Sequence, residues 1–375
     1  MTTLTPAPPR TRLGYIDNLR ILLTVLVLVH HTALTYGALP LWYWTEPSTG
    51  PGGVALMLLV ITNQFFFMGF FFLISGLFVA GSVDRKGAGS FARDRLVRLG
   101  VPLAAFLLLA RPVLALPRWP EHRAAGESFL TFWFTVGDAG PLWFVEVLLV
   151  MSLAYAAVRA VRGRSGGSPV VVTPQEAAPV RFRGIAALVG LLTVLTFLWR
   201  LLVPAGTYWE LGGLPSPAYL PQYVVLFVVG VLASRRGWLA GLSRRQGRVA
   251  LVVAVLSVGL ALGGTALGTA PGAGLGAQAV AALTENVFAV SAIVGLLVLF
   301  RERLSGTPAW ARWAAQGSFT VYLIHALVLV AVAILLAPLA APALVKFLLL
   351  LVIAVPLCWV LAGLLRGIPG AKRVL

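Results

Sequence analysis

Of the 375 residues, 59% are hydrophobic and 11% charged, against about 45–50% apolar and about 25% charged in soluble domains, so a water-soluble globule is excluded. The 29 lysines and arginines outnumber the 12 aspartates and glutamates, giving +17. In a soluble chain that balance suggests nucleic acid; here the basic residues sit between apolar runs too long for a soluble core, and no nucleic-acid partner follows. The single cysteine, Cys358, excludes an internal disulfide and every cysteine-based metal site.

Runs of about 20 apolar residues are long enough to cross about 30 Å of hydrocarbon, and ten are drawn, at 20–39, 54–80, 99–116, 139–158, 185–203, 218–234, 249–268, 279–300, 314–336 and 343–365. Backbone groups in lipid must be satisfied within the segment, and the runs lack the alternation of a membrane barrel, so all ten are predicted to be helices. The fold class is therefore all-α, a polytopic membrane protein in contact with a lipid bilayer. Residues 129–136 are too short to cross and are expected at the outer interface. No cleavable signal is expected, because the first apolar run is too long for a signal core. The domain plan is a tail at 1–19, one membrane domain at 20–365 with a Gly/Ser/Pro-containing inner linker at about 159–184, and a tail at 366–375. No internal repeat of the transporter kind is evident.

Cytoplasmic connections collect Lys and Arg. With the N-terminus inside, the inner segments hold 24 of the 29 basic residues, leaving Arg111, Arg118, Arg123, Arg200 and Lys346 elsewhere. Both termini are thus predicted to be cytoplasmic, in an inner (plasma) membrane; 26 Arg against 3 Lys suits a GC-rich bacterial genome.

Ionisable side chains within spans are costly and mark function. Four stand out: His31, Glu146, Glu285 and His325; the plainer reading of each is a buried polar group satisfied by a neighbouring helix. Arg20 and His31 are eleven residues apart, which returns a helix to nearly the same face after about 16 Å of rise. Arg20 at the inner headgroups would put His31 near mid-bilayer, with His30 pointing about 100° away as a bystander. Glu146 and Glu285 would lie about 8–10 Å deep from outside and His325 about 16 Å deep from inside, so that all four are expected to meet. Arg95 and Arg98, three apart at the start of the third span, present two guanidinium forks suited to phosphate, or simply orient the protein and touch lipid headgroups. Trp42, Tyr43, Trp44, Trp119, Trp133, Tyr208 and Trp209 read as an interfacial aromatic belt, or as surfaces for sugar rings. His30, His31, His122 and His325 do not assemble into a metal site by spacing.

The chain resembles the integral-membrane acyltransferase 3 proteins, particularly the branch similar to glucan-modifying succinyltransferases. Tyr15-Ile-Asp17-Asn-Leu-Arg20 followed by His31 is similar to the family's Arg-x10-His motif, Phe72-Leu-Ile-Ser75-Gly76 to its Ser-Gly segment, and Arg95-x-x-Arg98 with Pro102 to its Arg-x-x-Arg motif. Leu142-Trp143-Phe144, Phe227-Val-Val-Gly230 and Ser318-Phe-Thr-Val-Tyr322-Leu-Ile-His325 follow in the family's order, and the likeness runs from about residue 15 to 335. The resemblance implies transfer of an acyl group, acetyl or succinyl-like, from cytoplasmic acyl-CoA, a co-substrate rather than a bound cofactor, to a hydroxyl of an extracytoplasmic acceptor such as a glycan. It maps the essential residues to Arg20, His31, Arg95 and Arg98. Some relatives carry an added extracytoplasmic domain; here the membrane part is expected to do the chemistry or hand the acyl group to a separate protein. His31 would act as base or as acyl-carrying nucleophile, with Glu146 orienting it. Ser75 reads as a helix-contact or hydrogen-bonding residue beside Gly76, and Glu285, Tyr322 and His325 as supporting polar groups. The rival class is a proton-coupled transporter or flippase, which also uses buried His and Glu.

Overall fold

The computed structural model describes residues 13–163, 178–210 and 212–375. The predicted linker's Ser165, Gly166, Gly167, Ser168, Pro169 and Pro174, together with Arg10, Arg12 and Arg164, lie outside the described residues.

The protein is 79% helical, and among the described residues the only strand-like pairing is one isolated bridge between Trp209 and Leu214. Ten helical segments are long and apolar enough to cross a bilayer: Gly14–Tyr36, Pro51–Lys86, Ala88–Ala124, Phe129–Val161, Phe182–Arg200, Pro217–Arg236, Arg244–Gly268, Leu275–Arg303, Ala309–Leu336 and Ala343–Gly367. Each predicted run falls on one of them. The helices outlast the apolar runs because polar residues at the membrane edge continue the helical ladder. The predicted interfacial stretch is a helix of its own, Phe129–Thr135, capped by Ser128 accepting from the Thr131 N–H.

Burial sorts the spans. The second and eighth are each 72% enclosed by protein, whereas the fifth, at 11%, faces outward along most of its length. The first span lies against the second, eighth, ninth and tenth. The second and sixth spans approach most closely at two motif glycines. A methyl group on Gly76 would strike the Phe227 carbonyl, and one on Gly230 would strike the Leu73 carbonyl, the small-residue contact by which membrane helices pack backbone to backbone.

Two spans are irregular. The second breaks between helices Pro51–Gln64 and Phe67–Lys86, and Gln222 Nε2 donates to the freed Phe65 carbonyl at 2.8 Å, satisfying the group as lipid depth demands. The third contains two π-helical turns, Leu96–Gly100 and Phe106–Ala110, each just ahead of a proline, Pro102 or Pro112. A proline ring cannot donate and crowds the carbonyl four residues back, and the wider turn accommodates it.

One face of the bundle is tied together by side chains. Asn18 donates to the Leu304 and Gly306 carbonyls at 2.6 and 2.9 Å, Asp84 pairs with Arg159 at 3.0 Å and Arg235 at 3.3 Å, and Arg301 donates to the Leu239 and Leu242 carbonyls. Both described ends of the chain lie on this basic face. Of the basic residues elsewhere, Arg200 pairs with Glu285, Lys346 with Glu46, and Arg111 donates to the Phe134 and Gly137 carbonyls.

Candidate active site

Two clefts enter the bundle from its two faces. The cleft in the basic face has a volume of about 470 Å³ and is lined by Arg20, Thr24, Ser75, Arg95, Arg98, Gln316, Ser318 and Tyr322, among others. The arginines of two separate sequence motifs therefore share one wall. Arg98 sits within the first π-helical turn, and the Arg95 guanidinium lies 5.0 Å from the Phe91 ring centroid. Arg20 lies 3.6 Å from Asp17. Ser75 faces the cleft while its neighbour Gly76 makes the helix contact, so the Ser-Gly motif divides its two tasks between adjacent residues.

The opposite cleft, about 580 Å³, is lined by His30, His31, Trp42, Tyr43, Gln64, Arg111, Asp138 and Tyr219, among others. Tyr322 also lines it and is the only described residue shared by both clefts. Its hydroxyl donates to the Pro141 carbonyl, bracing the ninth span against the start of the fourth. The Tyr43 phenol, outside the spans, is pushed above its ordinary pKa by burial and further by the Asp138 carboxylate; it stays protonated and able to donate.

Between the clefts lies a histidine pair. His325 Nδ1 is 2.6 Å from the Tyr322 carbonyl oxygen, which only accepts, so Nδ1 carries the proton. In the neutral ring Nε2 then accepts, and it lies 3.1 Å from His31 Nδ1, which must donate. The hydrogen-bond network thus assigns the tautomers: a carbonyl fixes His325, His325 fixes His31, and a neutral His31 has its lone pair on Nε2. Trp42 stacks on the His31 ring with centroids 4.0 Å apart and planes at 24°. His30, expected to be a bystander, stacks on Phe67 at 5.1 Å and lines the same cleft as His31.

The expected meeting of four ionisable groups is corrected to a meeting of two. Glu285 is 1% exposed and forms a bidentate pair with Arg200, at 2.8 and 3.0 Å. Glu146 forms no hydrogen bond with His31 among the described residues. It lies off the buried stripe of Trp143, Phe144, Val145, Leu148, Ser152 and Ala156 and faces the loop at Gly212. The partner that orients His31 is His325, not a carboxylate.

Sequence reading missed two contributions. Trp42 was grouped with the aromatic belt, and nothing in its local sequence says that the loop folds back over His31. Arg200 falls within the predicted fifth span and was counted only as lying off the inner side, although an arginine and a glutamate in the outer halves of two spans were a usable signal. No curated protein and no solved structure matches the chain. Its residues 13–363 match the family described as acyltransferase domain, and with nearly its whole length inside that match the chain belongs to the acyltransferase 3 family of membrane acyltransferases.

Proposed function

We propose that the protein moves an acyl group from acyl-CoA, bound at the basic, cytoplasmic face, to a hydroxyl of an extracytoplasmic acceptor, a carbohydrate or glycan, in the opposite cleft. The carrying observation is the His31–His325 pair, with His31 in the wall of the aromatic-rich cleft and Tyr322 shared with the cleft lined by Arg20, Arg95 and Arg98. Arg20, Arg95 and Arg98 hold the CoA phosphates, because guanidinium groups bind phosphate oxygens bidentately. The uncharged pantetheine arm passes Ser75 and Tyr322 and brings the thioester to His31. The acceptor hydroxyl loses its proton to His31 Nε2 as its oxygen attacks the thioester carbon. The C–S bond breaks as the C–O bond forms, and the imidazolium returns the proton to the departing thiolate. His325 accepts a hydrogen bond from His31 Nδ1 and holds the ring in the tautomer that leaves Nε2 basic. The cell inner membrane of a bacterium fits this arrangement, with acyl-CoA on one side and envelope glycans on the other.

The test is transfer of labelled acyl group from acyl-CoA by purified protein in nanodiscs, comparing wild type with His31→Ala and Arg98→Ala. The His31 variant is expected to bind donor and fail to transfer, and the Arg98 variant to need more donor. Equal transfer by both variants and wild type sinks the assignment.

A further inference from the structure

The tenth span ends at Gly367, and the chain beyond it does not run away from the bundle. Gly370, at φ 84°, sits in the left-handed region, where a glycine costs nothing. Ala371 donates its N–H to the Ile368 carbonyl at 3.1 Å and Arg373 to the Gly370 carbonyl at 3.0 Å, closing a 3-10 turn over Ala371–Arg373. The tail is folded back so that Arg373, Val374 and Leu375, with Arg366 from the last turn of the tenth span, line the same cleft as Arg20, Arg95 and Arg98. Among the described residues no carboxylate forms an ion pair with Arg95, Arg98, Arg366 or Arg373. The sequence counts these arginines only among the basic residues of the inner segments; the structure adds that Arg366 and Arg373 line this cleft.

We infer that Arg366 and Arg373 are donor-binding residues that complete the phosphate cradle and take the 3′-phosphate of CoA. The inference rests on the donor reading above. An ionised CoA carries about four negative charges, two on the pyrophosphate and close to two on the ribose 3′-phosphate monoester, and Arg366 and Arg373 add two guanidinium groups to the wall already formed by Arg20, Arg95 and Arg98. Order along the ligand assigns the pairing. The thioester lies at one end of CoA and the ribose 3′-phosphate at the other, with the pyrophosphate between. The thioester end belongs at Tyr322 and the histidine pair, the pyrophosphate at Arg20, Arg95 and Arg98, and the outermost phosphate at Arg366, in the last turn of the tenth span, and Arg373, in the tail beyond it. Headgroup phosphate of a lipid offers the same chemistry, and the test separates the two sources.

The experiment measures binding of CoA and of 3′-dephospho-CoA to the full-length protein by calorimetry, in nanodiscs of purely zwitterionic lipid and in nanodiscs containing phosphatidylglycerol. The variants are Arg366→Ala/Arg373→Ala and the charge-keeping Arg366→Lys/Arg373→Lys. Wild type is expected to prefer CoA to 3′-dephospho-CoA. The double alanine variant loses about 10- to 100-fold in affinity for CoA, as one or two charge-assisted hydrogen bonds are removed, and holds 3′-dephospho-CoA nearly as wild type does. The lysine variant recovers much of the CoA affinity, which also shows that the alanine variant's loss is not misfolding. Equal CoA affinity in wild type and the alanine variant overturns the inference, as does a loss that is the same for both nucleotides. An effect seen only in anionic nanodiscs assigns the tail to lipid and also overturns it. Wild type that binds neither nucleotide refutes the donor reading itself, a result distinct from a failure confined to the tail.

Discussion

Removing the His325 imidazole should slow catalysis without weakening donor binding. In the resting pair, His31 Nδ1 donates to His325 Nε2 across 3.1 Å. When His31 takes the acceptor's proton it becomes an imidazolium, and that bond becomes a hydrogen bond from a charged donor, worth about 1.5–3 kcal/mol. The stabilisation exists in the transition state far more than in the ground state, so it belongs in kcat; at about 1.36 kcal/mol per decade it converts to about 10- to 150-fold. His325→Ala is therefore expected to lower kcat by that range with the donor KM close to wild type, because His325 lines neither cleft. His325→Gln places a carbonyl oxygen near the position of Nε2 and is expected to recover part of the loss, whereas His325→Phe, which fills the space without accepting, is not. In a His31→Ala background, His325→Ala should cost little more, since the residue acts through His31. Steady-state kinetics with varied donor supply all of these values. A kcat unchanged in His325→Ala, or full additivity of the two losses, refutes the relay.

Three further outcomes follow from the packing. Gly76→Ala should destabilise the protein by about 1–3 kcal/mol, as a methyl group forced against the Phe227 carbonyl separates the second and sixth spans; thermal unfolding in detergent measures it, and Ser75→Ala beside it should be much milder. Glu285→Leu leaves Arg200 buried beside no counter-charge, since the pair is bidentate and Glu285 is 1% exposed; a loss of about 3–5 kcal/mol is expected, and adding Arg200→Met should return most of it. Tyr322→Leu removes the hydroxyl that braces the ninth span on the Pro141 carbonyl and joins the two clefts, so thioester hydrolysis without acceptor should rise relative to transfer; an unchanged ratio counts against Tyr322 as the partition.

The ten spans were legible because apolar length is a one-dimensional property, readable residue by residue. Leu275–Arg303 was predicted at 279–300, and the difference is the charged end Arg301-Glu302-Arg303 and one further turn, Leu275-Gly276-Ala277-Gln278, at the start. The Arg-x10-His spacing was legible for a related reason, since helical rise and twist convert separation along one helix into depth and face. Rotation of one helix against another has no such local code. His31 and His325 are 294 residues apart, and similar depth led to the expectation that they meet, together with Glu146 and Glu285, without saying which of the four do. The same gap allowed Glu146 to be assigned to His31, when the buried stripe of its helix turns it toward the Gly212 loop. The π-helical turns were signalled by Pro102 and Pro112, but whether a proline kinks a span or widens its turn depends on the neighbours that receive the freed carbonyls.

On the proposed reading, the placement of charge lets one membrane domain serve a phosphate-bearing donor at one face and a hydroxyl acceptor at the other. Permanently charged guanidinium groups, Arg20, Arg95, Arg98, Arg366 and Arg373, line the basic-face cleft. Between Tyr322 and the histidine pair the hydrogen-bonding groups are the Tyr322 hydroxyl, its backbone carbonyl and two imidazoles, none of them a guanidinium or a carboxylate. A phosphate carried to that depth would lose its hydration with no arginine to replace it, a cost of several kcal/mol per ion, whereas a thioester on an uncharged arm loses little. With the proposed donor, such a partition would admit the thioester end and hold back the phosphates. A transporter moving charged solute past the same point needs a counter-charge along its path. The ion pair at comparable depth, Arg200 with Glu285, is closed on itself by two hydrogen bonds and lines neither cleft. The charge distribution thus favours passage of an acyl group over passage of the molecule that carries it.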